Sequence, residues 1–288
     1  MLAEEGGGWG AAGDRAILRS RAALLVGLRR RGDSLRCFAR RVNQGSASVN
    51  NLRSYHKRMS INIGFLLFPN LTQLDLTGPA QVLSRIPGAK IHLIWKSIEP
   101  VVTDVGFTIN PTTTFAGCPQ LDVLSVPGGS GISEQMLDQE TLSFLRRQSE
   151  RAKYITSVCN GSLILAAAGL LVGYKSACHW MWSSHLQRFG AHAVGERVVR
   201  DRNHISGGGV TAGIDFAFTL AVELAGEEVA QRIQLTLEYD PQPPLSCGTP
   251  AQAGPHMVQQ VRAMQAERIK RIEQSIAVAA SNFAAQHE

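Results

Sequence analysis

The sequence predicts an α/β fold with a mostly parallel central sheet and helices on both faces. Three observations carry this. Apolar runs of strand length recur between residues 61 and 207 and alternate with segments of helical length and pattern. The strand-like runs are near-continuous in Val, Ile and Leu, as strands buried on both faces are. Glycine-rich turns close several of them, where a strand hands over to a helix.

The elements follow in chain order. "INIGFLLF" (61–68) is the first buried strand, and "LDLTGPAQVLSRI" (74–86) the first helix, with Thr77 and Pro79 marking its start. "KIHLIW" (90–95) is a second strand, and "GFTINPTTTF" (106–115) a short strand or hairpin arm. "LDVLSVPGG" (121–129) is a buried strand ending in a glycine turn, followed by one or two amphipathic helices in 133–152. "KYITSV" (153–158) is a strand that runs at once into the helix "SLILAAAGLL" (162–171). "HWMWSSHLQRFG" (179–190) reads as a helix with glycine after its end. "ERVVRDRNHISGGG" (196–209) gives two short strands around an Asp-Arg-Asn turn, and "TAGIDFAFTLAVELAG" (211–226) a long apolar helix. A Pro-rich loop occupies 240–256. Met257, Val261, Met264, Ile269, Ile272 and Ile276 then recur at helical spacing, a terminal helix expected to pack on the body or on a partner subunit.

Charge divides the chain. Of its 288 residues, the first 58 hold 12 Lys+Arg against 4 Asp+Glu, and the rest hold 17 against 19. The basic segment 1–58 is expected to be disordered or at most one short helix. It reads as a start called too early, with Met59 the real start, as an organelle transit peptide, or as a basic tail. Residues 59–288, mildly acidic, form the expected catalytic domain. They offer no nucleic-acid surface and no basic membrane patch. Five widely spaced cysteines without a CxxC exclude a disulfide framework and a zinc site, and fit a reducing, cytoplasmic setting. No apolar run reaches the roughly 18 residues of a membrane span.

Cys159 ends a buried strand and precedes a helix, the edge where open α/β sheets bind ligands. Gly161 permits a tight turn that would lift the thiol, as in a nucleophile elbow, and a helix N-terminus favours the thiolate. The alternative is a buried structural cysteine. Asp75 falls on the same edge, either shuttling a proton to the thiol or capping the first helix. Gly128 and Gly129 expose backbone N–H groups there, a candidate oxyanion cradle or a simple turn. His179 is a candidate base for a Cys–His couple. The other four cysteines have no such setting.

Taken together, "GFLLFPNLTQLDLTGP", "LDVLSVPGGSG", "ITSVCNGSLILAAAGLL", "ACHW" and "GGGVTAGIDFAFTLAVEL" resemble the ThiJ/PfpI superfamily, a class I glutamine amidotransferase-like group, and within it the isocyanide hydratases. The resemblance spans roughly 60–280. It implies a flavodoxin-like three-layer sandwich and a homodimer with the site near its interface. It implies Cys159 as nucleophile, Asp75 as acidic partner, and Gly128, Gly129, Asn160 and Val210 as substrate contacts. Proteases and deglycases of the superfamily typically carry Glu at the acidic position, and the proteases a His after the cysteine. Asp75 and Asn160 point away from peptide hydrolysis, while the hydratases usually have Thr where Asn160 stands.

The chemistry implied is thiolate attack on an isocyanide, a thioimidate on Cys159, and hydrolysis to an N-substituted formamide, with no metal or organic cofactor. A neutral, apolar small-molecule substrate would need only an apolar pocket; "LLVGY" and "HWMW" would supply part of it, with most of those residues read as core. Glyoxalase-type hydration is the first rival. The second is a ligand or oxidation sensor, since the same domain forms the sensing half of AraC-type regulators.

Overall fold

The computed structural model describes residues 60–286; the basic segment 1–58, with the readings made of it and Cys37 within it, lies outside the described residues. The central sheet has seven strands. They are β1 (Ile61–Leu66), β2 (Ala89–Trp95), β5 (Thr113–Thr114), β6 (Val123–Val126), β7 (Tyr154–Val158), β10 (Val198–Asp201) and β11 (His204–Gly207), in the order β10-β11-β7-β6-β1-β2-β5. Each neighbouring pair is parallel except the β10–β11 hairpin at one edge. Leaving out the edge strands β5 and β10, the order is 2-1-3-4-5, the flavodoxin arrangement. The remaining strands pair off outside the sheet: β3 (Val101–Val102) with β4 (Thr108–Ile109) as an antiparallel arm, and β8 (Lys175–Ser176) with β9 (His192–Ala193).

The apolar runs do what their composition requires. Ile63, Phe65, Leu66, Val123, Leu124, Val126 and Val158 are inaccessible, because both faces of the sheet are covered. Helices α1 (Gln73–Leu83), α5 (Ala212–Ala225) and α6 (Glu227–Leu237) pack together on one side. Helices α2 (Ile132–Gln135), α3 (Gln139–Ser149) and α4 (Gly161–Ala167) pack with one another on the other. Asp138 caps α3, accepting from the Glu140 and Thr141 N–H groups.

Three local expectations change. Helix α1 begins at Gln73, four residues before Thr77, so Asp75 lies inside its first turn and Pro79 in its body. Residues Ser183–Phe189 form a 3₁₀ helix closed by left-handed Gly190 (φ 70°), not an α-helix. The tail is two helices, α7 (Pro250–Met264), broken at Gly254 by φ 76°, and α8 (Ala266–Ala285). Only α8 buries its apolar stripe: Ile272 and Ile276 are inaccessible, whereas Met264 is 85% exposed. Helix α8 lies against α2, α4 and the 3₁₀ helix, which brings its N-terminal turn to the carboxyl edge of the sheet.

Candidate active site

The topology concentrates chemistry at one place. Strand order reverses between β1 and β6, and crevices at such switch points outside the carboxyl ends of strands are where ligands bind. Asp75 follows β1, Gly128 and Gly129 follow β6, and Cys159 follows β7. The three chain segments meet here through hydrogen bonds rather than by proximity alone.

Cys159 has φ 58°, the left-handed region that a non-glycine residue enters at a cost of about 1–3 kcal/mol. Helix α4 starts two residues later, at Gly161. A Cβ at Gly161 would overlap the Val126 carbonyl oxygen and come within 2.7 Å of the Pro127 carbonyl carbon, so only glycine lets the elbow close against β6. The Cys159 N–H donates to the Gly207 carbonyl at 3.0 Å, and its carbonyl accepts from the His179 N–H at 3.3 Å and the Ser162 hydroxyl at 3.4 Å. The strained turn is therefore pinned from both neighbours.

Asp75 is not a helix cap. Its Oδ2 accepts from the Gly128 N–H at 2.8 Å, 53 residues away in sequence, and the residue is fully buried. Oδ1 is buried without a well-formed hydrogen bond, and the Cys159 thiol is near enough to act on the carboxyl group as a weak donor. Burial pushes the Asp75 pKa up to about 8, against the pull of the Gly128 N–H and with a further push from the Asp104 charge. Burial likewise raises the Cys159 thiol, with Asp75 and Cys178 adding to it, while the Asn160 N–H and the Arg268 charge favour the thiolate. The two groups titrate as a pair. Both shifts favour the uncharged forms, so at neutral pH carboxyl and thiol each keep their proton.

The glycine turn does not offer the free cradle expected of it. The Gly128 N–H is taken by Asp75, and the Gly129 N–H by the Asn160 side-chain oxygen at 2.8 Å. Asn160 is inaccessible, and its amide nitrogen donates back to the Gly129 carbonyl at 3.2 Å. Both ends of its side chain are spent on the turn, so Asn160 fastens β6 to the elbow instead of presenting a group to substrate. A Cβ at Gly128 would overlap Asn160 Oδ1 and come within 2.9 Å of Asp75 Oδ2.

Val210 is half-buried and packs on the core at the turn before α5, where its carbonyl accepts from Gly213. His179 is joined to the elbow through its backbone. Its Nδ1 lies 3.3 Å from the Met181 N–H, which donates to it, so the neutral ring carries its proton on Nε2. Burial, reinforced by the Arg268 charge, lowers its pKa to about 4. It is neutral at physiological pH and offers a donor rather than a free basic nitrogen. Met181 and Trp182 are core residues, as expected for most of that stretch.

Two neighbours were invisible in the sequence pattern. Cys178 is buried against the site, its thiol pushed up to about 12 by burial. Arg268 reaches it from α8, acting electrostatically on both Cys159 and His179. Cys118, Cys159, Cys178 and Cys247 are all free thiols. Among the described residues no His, Cys, Asp and Glu cluster has the makings of a metal site, and no helix is long and apolar enough to cross a membrane.

Known proteins resemble this chain at several distances. The chain is 51% identical over 212 residues to isonitrile hydratase of Pseudomonas putida, covering 74% of this chain and 93% of that protein. A ThiJ/PfpI family protein of Pseudomonas syringae superposes with a TM-score of 0.73 at 44% identity, covering 76% of this chain and 91% of the other. The transcriptional regulator GbdR of Pseudomonas aeruginosa is 30% identical over 188 residues, 62% of this chain but only 51% of the regulator. The DJ-1/PfpI profile matches residues 62–223, more than half the chain, and the protein belongs to the DJ-1/PfpI family.

Proposed function

We propose that this protein hydrates isonitriles to N-substituted formamides, using Cys159 as nucleophile and Asp75 as the acid. The observation that carries the reading is the buried pair itself: a thiol on a strained elbow beside a carboxyl group whose pKa is near 8. An isonitrile needs both partners. Its terminal carbon accepts a nucleophile and at once needs a proton, and Asp75 retains one at neutral pH where an ordinary aspartate does not.

The steps balance as follows. The Cys159 sulfur forms a C–S bond to the terminal carbon of R–N≡C while the Asp75 carboxyl protonates that carbon and takes up the thiol proton in its place. The product is a thioimidate, R–N=CH–S–Cys159, with Asp75 again protonated. Water adds to the imidate carbon, its proton passing to nitrogen through Asp75. The C–S bond then breaks, and the hydroxyl proton returns to sulfur through Asp75 as R–NH–CHO departs. Arg268 and the Asn160 N–H supply the positive potential that favours negative charge on sulfur as the C–S bond forms and breaks. The identity to P. putida isonitrile hydratase supports this choice of reaction.

The reading includes a homodimer. Val102, Val105 and Phe107 are about half exposed on the β3–β4 arm, next to Asp104, whose carboxylate accepts from the Gln73 N–H of α1. An apolar patch beside a site is a natural place for a second copy to dock. A cytoplasmic, reducing setting is part of the same proposal and agrees with the four free thiols. Purified protein offered p-nitrophenyl isocyanide and methylglyoxal in parallel tests the chemistry. Loss of the isocyanide with appearance of the formamide is expected. Consumption of methylglyoxal alone would assign glyoxalase chemistry instead, and no turnover of either, with ligand binding retained, would favour a sensor.

A further inference from the structure

A cavity of about 550 Å³ opens at the carboxyl edge of the sheet, lined by Asn70, Asp104, Ser130, Glu267, Arg268 and Arg271. It adjoins the reacting pair. Ser130 is the residue after Gly129, Asp104 acts electrostatically on Asp75, and Arg268 acts on Cys159. Its size suits a small organic ligand, but its lining does not suit the neutral, apolar substrate that thiol chemistry alone would require. Every side chain around it is polar or charged.

Two of those side chains are arginines three residues apart on α8, and so on one face of the helix. Neither makes an ion pair among the described residues, although two carboxylates line the same cavity. Among the described residues the Arg268 guanidinium makes one hydrogen bond, a long contact from Nη1 to Gln265 at 3.4 Å, and its buried Nε finds no partner. A buried guanidinium N–H left unmet is costly, and a ligand acceptor removes that cost.

We infer that the cavity holds an anionic substituent of the substrate, so that the isonitriles this protein prefers carry a carboxylate close to the N≡C group, anchored by Arg268 and Arg271. The forked guanidinium matches a planar carboxylate with two parallel hydrogen bonds, which a lysine does not. A singly charged anion fits better than a phosphate dianion, because Asp104 and Glu267 share the space and repel the second charge. The placement also serves the chemistry. A carboxylate held on Arg268 orients the isonitrile carbon toward Cys159, and orientation of this kind lowers the barrier more than added contact elsewhere.

This inference rests on the isonitrile reading, and the experiment separates the two. The purified protein is offered isocyanoacetate and its methyl ester, and kcat/KM is measured for each. Wild type is expected to favour the acid about tenfold or more, the scale of one hydrogen bond to a charged group. That ratio should fall toward one in Arg268→Gln, partly in the surface variant Arg271→Gln, and lie between in Arg268→Lys, which keeps the charge and loses the fork. In parallel, titration calorimetry follows N-formylglycine, the acid product, and its methyl ester. Tighter binding of the acid, weakened about tenfold or more by Arg268→Gln, supports the carboxylate site even if neither isonitrile is hydrated, an outcome that would remove only the hydratase reading. Isonitrile turnover with no preference for the acid, a ratio unchanged in Arg268→Gln, or equal binding of acid and ester would each overturn the inference.

Discussion

Asp75 does two jobs with one carboxyl group. Oδ2 holds the β6 turn through Gly128, and the proton it keeps to about pH 8 is the one the proposed reaction uses. Turnover of a neutral isocyanide should therefore fall as pH rises through about 8, where Asp75 loses that proton, and a pH–kcat profile checks it. Asp75→Asn keeps the shape and removes the acid, and should cost about 100-fold or more in kcat. Cys159→Ser should leave no measurable hydration, and a covalent adduct by intact mass with a slow isocyanide should vanish with it. The strand–turn–helix position of Cys159 was legible in the sequence, because a strand, a cysteine and a glycine-started helix leave few geometries open. Asp75 was legible only as one of two alternatives, and the helix beginning at Gln73 removes the capping one. Arg268 was not legible at all. A lone arginine on an amphipathic terminal helix looks the same whether it faces water or a cavity more than a hundred residues away in the chain.

At the scale of elements, the elbow and the β6 turn form one clasp. The sequence marked both glycine turns but treated their N–H groups as free, since hydrogen-bond partners 31 and 53 residues distant leave no periodic trace. Asn160→Ala would leave the Gly129 N–H and C=O buried and unmet, a loss of about 1–3 kcal/mol for each group. Urea unfolding should show that destabilisation, and kcat should fall with it because Cys159 and Asp75 lose their common support. Asn160→Thr, with a shorter side chain and no amide, should restore neither bond fully and sit between. Elements set by local pattern were read correctly: the β10–β11 hairpin around Asp201–Asn203, the buried strands, and the helices that follow β6. Those decided by tertiary contact were not. The 3₁₀ segment at Ser183–Phe189 depends on what the chain packs against, which a helical period does not report.

For the whole molecule, the flavodoxin strand order explains why three distant segments meet, and buried ionisable groups are what that meeting costs. Their pKa values fix how stability depends on pH. Asp75 titrates at about 8 folded against 3.8 unfolded, so between those values the folded chain holds a proton that the unfolded chain has lost, and stability falls as pH rises. His179 and His204 titrate at about 4 folded against 6.5 unfolded, because burial disfavours the imidazolium. Between about pH 4 and 6.5 the unfolded chain takes up two protons at these histidines and gives up one at Asp75, so stability there rises with pH. Above 6.5 the histidines are neutral in both states and only Asp75 contributes, so stability falls toward pH 8, and the raised Cys159 thiol extends that fall further. The melting temperature of the protein should therefore peak near pH 6.5. Differential scanning calorimetry from pH 4.5 to 8.5 tests this, with Asp75→Asn as the control. The variant should keep the acid limb, lose most of the alkaline one between 6.5 and 8, and melt higher than wild type at pH 8. A wild-type profile flat across that alkaline limb would mean that Asp75 is ionised in the resting protein, and would remove the proton on which the proposed reaction begins.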